Sequence, residues 1–176
     1  MSRKKKENKV PEQMNLRGNV TLKVMQGNNT LKTIKTHNVV TLNLMYGMLV
    51  ALSGTATKDY CPNYLGVGSG TVTSQNVYTM ETLVQEISQS RSVTIPNYKG
   101  MPQKDATTVS TVYQALIPYT SVGSLPIREL GLFGTVTGAS LLARIELEEP
   151  ITLLINQSLM IEWSFSLENK PDSENE

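Results

Sequence analysis

Polar and apolar residues alternate most cleanly near the C-terminal end of the chain. In "SLMIEWSFSL", Leu159, Ile161, Trp163, Phe165 and Leu167 hold one set of positions, and Ser158, Met160, Glu162, Ser164 and Ser166 hold the other. A period of two is the mark of a strand with one buried face. "SLLARIELEE" repeats it, with Leu141, Ala143, Ile145 and Leu147 predicted inward and Arg144, Glu146 and Glu148 outward. "PITLLINQ" adds Ile151, Leu153 and Ile155 to the expected core. Earlier, "NVTLKVMQGNNTLKTIKT" predicts a hairpin with Val20, Leu22 and Val24 on one face and a turn at Gly27-Asn28-Asn29. Further strands are predicted over 90–95 ("SRSVTI") and 107–117 ("TTVSTVYQALI"). Antiparallel strands at these intervals predict a mainly β chain, an antiparallel β-sandwich of jelly-roll-like type.

One segment departs from this pattern. "NVVTLNLMYGMLVALSG" (38–54) opens on Asn38, a good N-cap, and closes on Ser53-Gly54, a good stop. Between them only Thr41, Asn43 and Gly47 interrupt the apolar run. It is shorter than the ~20 residues a membrane span needs, so it predicts one short helix buried on most sides. A small domain rarely surrounds such a helix alone, which favours a homo-oligomer.

Composition supports the β reading and adds a charge polarity. The chain has 176 residues, 18% charged and 6% aromatic. Thr, Val and Leu prevail over Ala, Glu and Lys, which favours strands. Net charge is +1, but residues 1–13 carry Arg3, Lys4, Lys5, Lys6 and Lys9 against Glu7 and Glu12, whereas residues 168–176 carry Glu168, Asp172, Glu174 and Glu176 against Lys170. Both ends are polar, aperiodic and proline-containing, which predicts a disordered basic arm (1–13), a single β-sandwich domain (14–167) and a disordered acidic tail (168–176). "MSRKKKENK" is followed by no apolar stretch, so it is not a secretory signal. The body has no basic stripe interleaved with aromatics, so nucleic acid is not an expected partner.

Candidate chemistry is sparse. "YLGVGSGT" holds Gly66, Gly68 and Gly70, but it lacks the third glycine of a dinucleotide loop and the lysine of a phosphate loop, and fits a strand end or bulge better. His37 is the only histidine and Cys61 the only cysteine. A triad, a multi-histidine metal site and an internal disulfide are therefore ruled out, and a Cys61–His37 dyad is a remote alternative to a small buried thiol. Glu81, Glu86 and Glu129 could supply paired carboxylates for sugar hydrolysis, yet no tryptophan cluster or further acids mark a glycan cleft. No catalytic, cofactor-binding or metal-binding residue is assigned, and the chain reads as a non-enzyme.

"PIRELGLFGTV" (126–136) is the remaining oddity, a charge pair running into an apolar corner. Arg128 and Glu129 can satisfy backbone groups or pair with each other and with Arg144, while Leu130, Leu132 and Phe133 enter the core. The reading is a structural latch of Arg128, Glu129, Phe133 and Arg144, with a ligand or catalytic role as its alternative.

In company, these segments resemble a type of tailed-bacteriophage virion protein. "HNVVTLNLMYGMLVAL", "YLGVGSGT", "METLVQEISQSR", "IRELGLFG" and "SLLARIELEEPITLLINQSLMIEWSFSL" follow that type's order, and the "E-x-GLF…LLAR" combination is the most specific part. The resemblance covers roughly residues 37–167. The type often has lysine after "PI", where this chain has Thr152. The resemblance implies a structural component of the tail, neck, collar fibre or capsid surface, found in the virion after assembly in the bacterial cytoplasm. It implies copies of itself and other virion proteins as partners, with no membrane and no cofactor. A receptor- or carbohydrate-binding module of a phage fibre is the alternative.

Overall fold

A computed structural model of the chain describes residues 13–55, 58–73, 76–88, 90–96, 103–105, 107–119 and 124–170. In chain order the elements are β1 (Gln13–Gln26), β2 (Asn29–His37), β3 (Val39–Val40), α1 (Leu42–Leu52), β4 (Tyr64–Gly68), β5 (Ser92–Val93), β6 (Ile95–Pro96), β7 (Gln103–Lys104), β8 (Thr108–Tyr119), β9 (Ser124–Phe133), β10 (Leu141–Leu154) and β11 (Gln157–Lys170). Single turns of 3-10 helix lie at Lys58–Tyr60 and Val77–Thr79. Two antiparallel sheets pack face to face as a β-sandwich. The first has the order β2-β1-β11-β8-β6, with β7 also on β8, and the second has the order β3-β10-β9-β4-β5.

The alternation read from the sequence fills the space between the sheets. Val20, Leu22, Leu159, Ile161 and Trp163 from the first sheet meet Leu65, Val67, Leu130, Leu132 and Ile145 from the second in one buried cluster. The hairpin of β1 and β2 turns where expected, at Gly27, whose φ of 57° is the left-handed conformation that glycine adopts freely.

Several expectations shift at element boundaries. The single strand expected over 90–95 is two short ones in different sheets, β5 on β4 and β6 on β8. The crossover at Thr94 is tied down by its N–H on the Asn63 carbonyl and its hydroxyl on that of Pro62. Ile155 is not core. It sits in the tight turn with Asn156 (φ 63°) that carries the chain from the second sheet to the first, and is 47% exposed.

The helix is shorter than the apolar run. Val39 and Val40 pair with Arg144 and Ala143 as a strand, and Thr41 holds the N-cap position expected of Asn38. Two adjacent β-branched residues beside an open strand edge favour extension over the first helical turn. The Thr41 hydroxyl bonds the Leu141 and Leu142 carbonyls, so it anchors α1 to β10 instead of capping it. Within one chain the cover is partial, since only Leu44 and Gly47 of α1 are buried.

The strand ladder takes in Gln13 and residues 168–170, which the sequence assigns to the two arms. Gln13 pairs with Lys170, and Glu168 lies between Asn15 of β1 and Thr108 of β8. β11 is hydrogen-bonded on both sides there and Arg17 reaches Glu168 at 3.5 Å, so the ladder runs on through the charged residues. Residues 1–12 and 171–176 lie outside the described residues.

Candidate functional site

The outer face of the second sheet is not a solvated face. Register places Gly66 and Gly68 of β4 beside Gly131 and Glu129 of β9, and these beside Arg144 and Glu146 of β10. Three glycines in this patch leave a shallow trough. The described residues after β4 (69–73, 76–88 and 90–91) fold over it as a third layer, with Met80 and Leu83 packed on Phe133 and Leu141. Outward-pointing residues therefore become buried ones. Arg144, expected to face solvent, is only 2% exposed, and Glu129 is fully buried.

Glu129 is the hub of this layer. One carboxylate oxygen accepts the backbone N–H of Gln85 at 2.7 Å and of Gly70 at 3.2 Å. The other accepts the N–H of Val84 at 3.0 Å and a guanidinium N–H of Arg144 at 3.3 Å. The same Arg144 nitrogen reaches Glu146 at 3.4 Å, and Glu146 accepts the Val72 N–H at 3.2 Å. Two carboxylates thus share one guanidinium, and peptide dipoles from three stretches of the covering layer offset the surplus negative charge. Close backbone approach is what the glycines permit. A Cβ on Gly68 would stand 2.6 Å from the Glu129 carboxylate, and one on Gly70 would stand 2.8 Å from it. The G-x-G-x-G run makes room for an anion of the chain's own, not for a bound phosphate.

A second clamp was not anticipated from the sequence. The Arg91 guanidinium lies over the Phe133 ring, 3.7 Å from its centroid. It holds the Glu86 carboxylate through two bonds, of 2.7 and 2.9 Å, and the carbonyls of Thr135 and Gly138 at 2.8 and 2.9 Å. Arg91 so joins the covering segment to the loop after Phe133 by charge-assisted bonds and a cation–π contact. The signal for it was a five-residue Glu–Arg spacing with no secondary-structure period to give it meaning.

Of the four latch residues, the structure brings Glu129 and Arg144 together and places Phe133 under the other clamp. Arg128 is separate. Among the described residues it has no ion pair, and it stands opposite the bulge at 147–150 that interrupts the β9–β10 register. Three hydrogen bonds within the covering layer and a single guanidinium satisfy Glu129, so its carboxylate is committed internally.

No family model, curated protein or solved structure matches this chain.

The other candidates disperse. Glu86 is neutralised by Arg91, and Glu81 is exposed. His37 pairs with Asn19, which neighbours Ser164 and then Val112, while Cys61 lies near Tyr113. Three strand spacings, about 14 Å, separate His37 from the β8 position level with it, so no thiol–imidazole dyad forms. Burial pushes the Tyr113 phenol above its usual pKa, with Cys61 adding to the rise and a hydrogen bond with Thr111 opposing it. Among the described residues no group of three or more His, Cys, Asp or Glu is placed to hold a metal ion, and no helix is long and apolar enough to cross a membrane.

Proposed function

We propose that this chain is a non-enzymatic structural component of a bacteriophage virion, self-associating and attached to the tail, neck or capsid surface. The observation that carries this reading is the use made of the "E-x-GLF…LLAR" residues on which the phage resemblance rests. Glu129, Phe133 and Arg144 all take part in fastening a covering layer to the sandwich. Their chemistry serves shape. A virion part must hold one shape against mechanical and thermal insult, and a buried, fully bonded carboxylate specifies geometry even where it adds little net stability.

The test is composition of the particle. Purified virions from a phage carrying this gene, probed by quantitative mass spectrometry and by gold-labelled antibody against the recombinant chain, should show it in a fixed copy number at one location. Its absence from purified particles, with the chain abundant in the infected lysate, would overturn the reading.

A further inference from the structure

α1 carries an apolar ridge that the other described residues leave largely exposed, with Tyr46 alone packing edge-on against a ring, that of Tyr60. Leu42, Met45, Tyr46, Leu49 and Leu52 are 53%, 43%, 57%, 67% and 84% exposed. Their spacing places them along one flank of the helix. Leu44 and Met48, one step round the same helix, line a cavity of about 300 Å³ between α1 and the inner face of the first sheet. Its far wall is Leu16, Val109, Phe165 and Leu167, from sheet ends that run past the cover of the second sheet. Ridge and cavity thus flank the same helix on neighbouring sides.

We infer that this surface is the contact between copies of the chain, the α1 ridge of one copy seating in the cavity of the next. This rests on the self-associating virion reading and names the face it would use. Three observations select a second copy as occupant. α1 contains no charged residue, and among the described residues none that lines the cavity is charged. A charged partner therefore finds no complement, and a membrane surface lacks the basic flank that interfacial helices use. The chain itself presents both halves of the contact, a protruding leucine ridge and an adjoining apolar recess with room for roughly two leucine side chains. A ridge and a recess on the same helix suit two-fold pairing, in which each copy gives and receives. Finally, five large side chains about half exposed or more offer roughly 500–600 Å², which with the cavity mouth approaches the ~800 Å² per partner of a stable interface.

The experiment uses the full chain. Sedimentation velocity across the micromolar range should show wild type as an oligomer. A Leu49→Asp/Leu52→Asp variant should weaken self-association on the order of a hundredfold while keeping the wild-type circular dichroism spectrum. Val109→Asp, on the cavity rim of a different element, should do the same. A wild-type monomer throughout that range overturns the inference, as does an oligomer indifferent to all three substitutions. A monomer that co-sediments with phosphatidylcholine–phosphatidylglycerol vesicles overturns it in favour of a lipid surface. If the chain is monomeric yet present in purified virions, only this interface fails and the virion reading stands.

Discussion

Glu129→Ala is the sharpest perturbation of the covering layer. It removes the acceptor for three peptide N–H groups and one guanidinium, all arranged around a fully buried carboxylate. A buried donor left unpaired costs ~1–3 kcal/mol, but not every one of these stays buried. Val84 and Gln85 belong to an exposed stretch and regain water if the segment lifts. Gly70 is buried and Arg144 is 2% exposed, so those two donors cannot. Arg144 keeps Glu146, which softens the loss of its other acid. The expected cost is ~3–4 kcal/mol, a large share of a typical domain's stability.

Glu129→Gln is no mild control here. Each carboxylate oxygen accepts two donors, so an amide nitrogen at either position confronts two N–H groups with a third donor. The sequence alone suggests that glutamine keeps most of the bonding and that alanine costs ~1–3 kcal/mol. The geometry revises both, with glutamine at ~2–3 kcal/mol. Thermal unfolding should fall by ~6–16 °C for alanine, at ~2–4 °C per kcal/mol for a chain of this size. Denaturant titration supplies the free energies, and Glu129→Ala/Arg144→Met should recover part of the loss because the buried guanidinium is gone, while the partly exposed Glu146 keeps the Val72 N–H and solvent. A Glu129→Ala protein within ~0.5 kcal/mol of wild type would refute the reasoning, since such an effect is ordinary for surface sites.

Other outcomes follow from the same contacts. Gly70→Ala, whose new methyl would meet the Val84 Cβ at 2.7 Å and the Gln85 nitrogen at 2.8 Å, should cost ~1–3 kcal/mol by calorimetry, and a neutral result would show that the glycine-rich run is not shaped by Glu129. Phe133→Ala should cost ~3–5 kcal/mol by denaturant titration, with Arg91 losing its ring face as well; a loss under ~1 kcal/mol would show the second clamp to be slack. The raised Tyr113 pKa favours the neutral phenol in the folded state, so its contribution is full below pH ~10 and is lost as pH rises through the higher folded value. Tyr113→Phe should remove one late-titrating phenol from the ultraviolet titration and flatten the alkaline loss of stability; an unchanged titration curve would contradict the burial argument. Deleting residues 1–12 should leave the melting temperature of the isolated chain unchanged, because β1 begins at Gln13, whereas a large drop would make the basic segment part of the fold.

How much of this was legible in the residues follows from what each signal measures. Period-two alternation reports which residues share a face, and it finds the core of β1, β10 and β11 except at Leu141, which a register shift turns under the covering layer while Leu142 takes the inward place. It does not report what covers the other face. Arg144 and Glu146 point away from the sandwich interior as expected, yet a third layer of irregular chain lies above them, and alternation has no term for that layer. The residues that announce it are the glycines at 66, 68 and 131, absent side chains that create the space. Seen one at a time, they suggest only a strand end or a turn. Arg128 and Glu129 illustrate the same limit. The β9–β10 register breaks beside Arg128, between the Ile127–Ile151 and Glu129–Glu146 pairs, so nearness along the chain is poor evidence of an ion pair, whereas Glu129 and Arg144 meet across one strand boundary.

Two surfaces of this chain thus invert the usual assignment of polarity. A buried ion cluster lies where alternation calls for solvent, and a bare leucine ridge lies where solvent would be expected to favour charge. The first is resolved within the chain, because the covering layer supplies peptide dipoles and two arginines supply countercharge. The second has no such internal remedy, since α1 is held to β10 through Thr41 and cannot turn its ridge inward without breaking that anchor. Burying the ridge at ~25 cal/mol per Å² of apolar surface is favourable by several kcal/mol, and a second copy brings an identical unmet demand. The latch that fixes the chain's shape also fixes β10, and through it the angle at which α1 is presented for the proposed self-association. Loosening Glu129 should therefore weaken association as well as folding, and measuring oligomer dissociation in Glu129→Gln at a temperature where the protomer stays folded would reveal whether the two surfaces are coupled. Dissociation constants equal to wild type would show that the ridge stands independently of the latch.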